Sequence, residues 1–207
     1  MNQSVATSPL FMNNIPEQLC EAGRIMFDKR LTDMAGGNIS ARVGDKVYMS
    51  PRYAGSRFHW NLSPEDLVCG RWVDDEITQH PKFSREGWSH LLIYREFPDA
   101  QAVIHAHPFH VMPFAMANRP MEPVLEATEK FGVVQLTKPA PAHTKVLGEH
   151  VVESLRGQEA RMLKQAAVVL IPHHGVILAG KEFHLVLDAL ERVNTNAYCL
   201  LSRTLLN

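Results

Sequence analysis

Apolar residues at Ile15, Leu19, Ala22, Ile25 and Met26 fall three and four positions apart, which predicts an amphipathic helix across residues 15–31. The stripe breaks at Ala35-Gly36-Gly37, and residues 38–51 then read as two short strands turning at Gly44-Asp45. Ser63 followed by Pro64 has the chemistry of a helix start: a capping hydroxyl, then a residue whose missing N–H costs nothing in the first turn. Residues 84–97 predict a second helix that stops ahead of Pro98. Residues 100–107, Ala-Gln-Ala-Val-Ile-His-Ala-His, predict a strand, and residues 143–157 a helix closed by Gly157. Residues 166–180 predict two strands interrupted from Pro172 to Gly175, followed by a long helix from about Lys181 to Leu206. Strands and helices alternate, while the hairpins supply antiparallel pairs. The pattern predicts the α/β class: a single three-layer α/β/α domain around a mixed, largely antiparallel β-sheet.

A chain of 207 residues is expected to form one domain, spanning 1–207, and to bury roughly 70% of the surface its unfolded form exposes. Residues 1–14 have neither the basic start nor the apolar run of a secretory leader and are expected to form a flexible N-terminal segment. A net charge of −1 argues against nucleic acid or a membrane surface as a partner. No stretch approaches the ~18 consecutive apolar residues of a membrane span. Cys20, Cys69 and Cys199 are odd in number, widely spaced and form no Cys-x-x-Cys, the usage of reduced thiols; a cytoplasmic protein is expected.

Chemistry concentrates in the strand at 100–107. Side chains alternate faces in an extended chain, so His105 and His107 present two imidazoles to one side. Imidazole binds zinc and related cations readily, and a catalytic site needs three protein ligands plus an open position. The Pro172–Gly175 turn offers His173 and His174, either of which a neighbouring strand would bring beside the pair, and either of which could instead bond the backbone. His59, His80, His90, His110 and His143 remain further candidates, whereas His150 and His184 lie in helical patterns.

Two more features precede that strand in the chain. Glu86 precedes His90 by four residues, and on a helix the two share a face. They form either a surface pair worth about a few tenths of a kcal/mol, or a site where the environment tunes a carboxylate for proton transfer. The run Gly36-Gly37-Asn38-Ile39-Ser40 is either a simple turn or a nest whose backbone N–H groups and short polar side chains meet an anion.

Taken in order, residues 35–42 (AGGNISAR), 84–108 (SREGWSHLLIYREFPDAQAVIHAHP) and 170–180 (LIPHHGVILAG) resemble the class II aldolase/adducin family, which includes fuculose-phosphate aldolases and ribulose-phosphate 4-epimerases. The resemblance implies His105, His107 and His174 as metal ligands and Glu86 as the acid/base carboxylate. It assigns Gly37, Asn38 and Ser84 to a substrate phosphate. The implied cofactor is a divalent metal, zinc first, with manganese or cobalt as alternatives. The implied activity is a metal-dependent lyase, aldolase or decarboxylase, breaking a carbon–carbon bond of a small sugar phosphate or sugar acid through an enediolate. A homo-oligomer, a tetramer with sites at subunit boundaries, is implied as well.

The chain departs from that pattern in places. Residues 50–60 offer Arg52, Ser56 and Arg57 where the fuculose-phosphate enzyme has Thr-Gly, and Ser84-Arg85 stands where it has Ser-Ser. Guanidinium groups suit bidentate capture of phosphate or carboxylate. Glu126 and Glu129 keep open a methylthioribulose-phosphate dehydratase, which has no match to Glu86 and uses a glutamate in this later loop. A sugar-phosphate epimerase is a further alternative. An adducin-like assembly domain is the non-enzymatic one, and it would have lost the three histidines.

Overall fold

The computed structural model describes residues 14–206; apart from Asn14, the N-terminal segment expected to be flexible lies outside the described residues. In chain order the elements are α1 (Ile15–Asp28), β1 (Asn38–Val43), β2 (Lys46–Met49), α2 (Ala54–Phe58), β3 (Val68–Arg71), α3 (Gly87–Glu96) and β4 (Ala102–Ala106). These are followed by α4 (Met112–Met116), α5 (Lys145–Leu155), α6 (Glu159–Lys164), β5 (Ala167–Ile171), β6 (Gly175–Gly180) and α7 (Phe183–Ser202).

The strands form one sheet in the order β3-β2-β1-β4-β6-β5, and each neighbouring pair is antiparallel. The parallel component among the described residues is an isolated bridge, Leu136 to Leu170. Every residue of β4, β5 and β6 is buried, which explains why these strands read as apolar runs rather than as alternating patterns. On one face, Leu19 and Met26 of α1 and Leu190 and Val193 of α7 pack against Ile39, Ile104 and Leu178. On the other, Leu91 and Tyr94 of α3 and Leu147 and Val151 of α5 pack against Val47, Val103 and Ile177. Full burial of each such aliphatic side chain contributes about 1.5–3 kcal/mol relative to exposure. The three expected layers are therefore present. Alternation along β4 puts His105 on the same face as Val103, under the α3–α5 layer.

Three elements differ from expectation. Ser63-Pro64 opens only a three-residue 3₁₀ turn, Pro64–Asp66, whose Asp66 carboxylate accepts from the Ser63 N–H at 3.0 Å and its Oγ at 2.8 Å. The chain then enters β3, four residues with one buried side chain, too short a pattern to show periodicity. The helix expected from residue 84 starts at Gly87, after a turn closed by Gly87 N–H to the Ser84 carbonyl at 2.9 Å.

Among the described residues no helix is long and apolar enough to cross a membrane. Cys20, Cys69 and Cys199 are free thiols.

Candidate active site

His105 stands near the end of β4, His107 just past it, and His174 in the β5–β6 turn. Their ring centroids lie 5.1 Å (105–107), 4.8 Å (105–174) and 5.4 Å (107–174) apart, and their ligand nitrogens all fall within 4.8 Å of one another. The outer nitrogens are occupied: His105 Nδ1 donates to the Val176 carbonyl at 3.0 Å and His107 Nδ1 to Asp33 Oδ1 at 3.1 Å. These bonds fix tautomers whose Nε2 atoms carry lone pairs, and both Nε2 atoms are buried without a protein partner. Two orphaned acceptors beside each other cost folding free energy unless something electrophilic joins them. An outer hydrogen bond that orients an inward lone pair is also how proteins prepare a metal-binding imidazole.

Burial, then the neighbouring His174 and His107, holds the His105 pKa well below its ordinary value. Burial lowers His174 too, against the pull of Glu86. Neutral imidazole is the ligand form. Burial pushes the Asp33 carboxyl up, but its bond and charge attraction to His107 and the Gly36 and Ala35 N–H groups outweigh this, so it sits low. The donor set fits a divalent cation that accepts imidazole nitrogen. His173, the other turn candidate, is turned aside, its Nε2 3.0 Å from Asn118 Nδ2. The turn packs this closely because residue 175 is glycine: a Cβ there would meet the Ala106 carbonyl at 2.5 Å and His107 Cδ2 at 2.8 Å.

Glu86 is the N-cap residue of α3 rather than part of its first turn, and of the two readings of its spacing from His90 the surface pair does not form. His90 points into the sheet, where it is fully buried. Its Nε2 donates to Asn38 Oδ1 at 3.1 Å, and its Nδ1 accepts from Ser40 Oγ at 2.7 Å, which in turn accepts from the Tyr94 hydroxyl at 2.7 Å. Burial drives the His90 pKa down to about 3, the neutral state this chain of bonds requires. Glu86 instead meets His143, the residue before the Thr144 cap of α5. Its Oε1 accepts from the His143 backbone N–H at 2.8 Å and lies 2.6 Å from His143 Nδ1. With the two 57 positions apart, no local spacing in the sequence reveals this contact.

A cleft of about 190 Å³ brings together the three histidines, Glu86, His143, Gly37 and Ser84, with Arg52 and Arg85 at its wall. Gly37 adopts φ +90°. Asn38 lies behind this wall, 1% exposed, and its Nδ2 donates to Ser84 Oγ at 2.9 Å. The guanidinium carbons of Arg52, Arg57 and Arg85 sit 5.9, 4.7 and 5.5 Å from the Tyr53 ring centre, a cationic mouth. Glu126 and Glu129 are exposed on the 3₁₀ segment Glu126–Phe131 and do not line the cleft. A larger groove of about 840 Å³, lined by Phe27, Phe109, Met112 and Met116, meets the site at Asp33 and His107. Its walls are mainly apolar, and the titratable groups cluster in the smaller cleft.

The sequence profile of the class II aldolase and adducin N-terminal domain matches residues 17–201. An L-fuculose phosphate aldolase from Methanocaldococcus jannaschii is 26% identical over 169 residues, which cover 80% of this chain and 84% of that one. A methylthioribulose-1-phosphate dehydratase from Methylococcus capsulatus is 36% identical over 97 residues, 44% of this chain and 43% of that one. The solved structure of L-fuculose-1-phosphate aldolase from Thermus thermophilus has the same fold, with a TM-score of 0.76 at 19% identity over 96% of both chains.

Proposed function

Because the chain belongs to the class II aldolase and adducin family, we propose that it is a metal-dependent lyase that breaks a carbon–carbon bond of a small phosphorylated ketose. The observation that carries this reading is the presence of Glu86 in one cleft with three histidines, two of which turn an unpartnered Nε2 inward. His105, His107 and His174 would hold the ion, zinc first and manganese or cobalt as alternatives. Such an ion supplies Lewis acidity toward a ketose carbonyl and its neighbouring hydroxyl, which lowers the cost of enediolate charge.

The chain's own groups do the rest. Gly37 and Ser84, with Arg52 and Arg85 beside them, take the phosphate and set the depth of the sugar. Asn38 holds the Ser84 hydroxyl in place. For a ketose 1-phosphate, cleavage between C3 and C4 leaves the bonding electrons on C3, while the C4 hydroxyl passes its proton to solvent water and becomes an aldehyde. Glu86 moves the proton at C3, giving dihydroxyacetone phosphate. The same placement would serve a sugar acid undergoing decarboxylation. A homo-oligomer, a tetramer by family resemblance, acting in the cytoplasm completes the proposal.

The local match to a methylthioribulose-1-phosphate dehydratase supports a second reading, loss of water in place of cleavage. That reading needs Glu126 or Glu129, and both lie outside the cleft. The test is Glu86→Gln, assayed by cleavage of L-fuculose 1-phosphate and by deuterium uptake into dihydroxyacetone phosphate in D₂O. A loss of roughly 10²–10⁴-fold in rate is expected, with the metal retained. A rate within a few-fold of wild type, metal intact, refutes the role of Glu86; dehydration of methylthioribulose 1-phosphate by the wild type, lost only in Glu126→Gln or Glu129→Gln, establishes the dehydratase.

A further inference from the structure

Glu86 has two carboxylate oxygens, and the structure commits only one of them. Both contacts from His143, the backbone N–H at 2.8 Å and the ring Nδ1 at 2.6 Å, converge on Oε1. A carboxylate oxygen only accepts, so the ring must carry its proton on Nδ1. The two residues meet because α3 and α5 pack with their N-terminal ends together: a Cβ at Gly148 would fall 2.8 Å from Leu92 Cδ1 and 3.1 Å from Ser89 Cα. Residue 143 reaches this position in the left-handed region, φ +67°, which costs a non-glycine residue free energy. A glycine there would make the backbone bond without that cost. The histidine side chain therefore supplies something that the backbone alone does not.

We propose that His143 is a positioning residue: its ring and backbone N–H together clamp Glu86 Oε1, lock the carboxylate's rotation, and leave Oε2 as the oxygen that meets the substrate carbon. The inference rests on the acid/base role proposed for Glu86. It adds a residue, 57 positions away, that decides where the proton-carrying oxygen stands. A carboxylate free to rotate samples unproductive orientations, and a misplacement on the order of 1 Å costs on the order of 10²-fold in rate.

Removing the ring separates its effect from that of the backbone. His143→Gly keeps the backbone N–H bond and relieves the left-handed φ. It should lower kcat roughly 10- to 100-fold, with KM within about threefold and metal content unchanged. His143→Asn tolerates the same φ and places its Nδ2 donor where the imidazole Nδ1 stood; it should restore kcat to within a few-fold of wild type. Both variants are assayed on L-fuculose 1-phosphate and by deuterium uptake into dihydroxyacetone phosphate. In the metal-free wild type, ¹⁵N NMR should show the His143 ring protonated on Nδ1, a tautomer preference weakened in Glu86→Gln.

A His143→Gly enzyme with wild-type kcat overturns the proposal. So does a loss that follows metal content or appears in KM alone, an Asn variant no better than Gly, or an Nε2-protonated ring. If His143→Gly fails to fold, the Asn variant and the NMR measurement still decide. Glu86→Gln run alongside distinguishes the two levels: an inactive Glu86→Gln with a normal His143→Gly removes only this inference. A fully active Glu86→Gln, or a wild type that incorporates no deuterium, removes the underlying reading as well.

Discussion

At one end of the cleft, His105, His107 and His174 stand at the ends of hydrogen-bonded central strands, with outer nitrogens tied to the Val176 carbonyl and Asp33. At the other end, Arg52, Tyr53 and Arg85 stand on short connecting segments and are exposed. On the proposed function, the contrast follows from what each end would grip. A transition ion tolerates deviations of only about 0.2 Å in ligand distance, and paired strands hold that geometry. An anion is gripped by charge and by forked donors on long side chains, which adjust to its position. On the proposed function, the first end would fix the chemistry and the second, built on exposed connecting segments, would set substrate choice.

The division is open to direct attack, starting with the largest effect. His107→Ala should take the protein from about one divalent ion per chain to nearly none, while His184→Ala on α7 keeps its ion. Equal metal content in the two variants, measured after dialysis, would undo the ligand assignment. Asp33→Asn leaves the ligands in place but weakens the bond that orients His107, and should reduce metal affinity roughly 10- to 100-fold. An unchanged dissociation constant would make Asp33 a bystander.

Next in size is an acid effect on the wall behind the phosphate end. His90 takes up a proton near its ordinary value of 6.5 when unfolded but only at about 3 when folded. Between those values the unfolded chain binds more protons, so stability falls as pH falls, by about 1.4 kcal/mol per pH unit from this group. Urea titrations of metal-free protein between pH 6 and pH 4 should show a shallower pH slope for His90→Gln than for wild type. Identical slopes would mean that the buried ring is not held neutral. The smallest effect is expected at the anion end itself. Ser84→Ala should raise KM several-fold for a phosphorylated substrate, spare metal binding, and leave a phosphate-free analogue untouched. If it releases the ion, the two ends are not separable.

The metal end was the more legible in the sequence, and the contrast explains why. Two of the proposed ligands lie two residues apart, on β4 and just past it, and the third on a short turn, so local periodicity nearly determines their geometry; the choice between His173 and His174 came from the family resemblance. Glu86 was visible as a residue, but its partner was not. The Glu86–His90 spacing suggested a helical face, yet Gly87 is the first helical residue and the sheet's Asn38 and Ser40 claim the His90 ring. His143 carries no local signal because helix packing, not spacing, brings it to the carboxylate. Asn38 was expected at the anion and stands instead behind Ser84, a distinction that rests on which way one buried amide turns. The strand β3 and the short helices α2, α4 and α6 are too brief for a period to emerge.

The strand that carries His105 also has the longest reach to make. The β1–β2 and β5–β6 pairs are hairpins closed by short turns, whereas β4 must find β1 and β6, whose partner residues lie some 60 to 80 positions away along the chain. Pairings of that separation carry the largest loop-closure entropy and dominate the folding time of such topologies. His105 and His107 lie on one side of the β4–β6 seam and His174 on the other. An ion bound across it stabilises the native state by RT ln(1 + [M]/Kd), about 2.7 kcal/mol at a hundredfold excess over Kd. On the proposed function, the cation that serves the chemistry would thus also act as a rivet through the most topologically demanding joint of the chain.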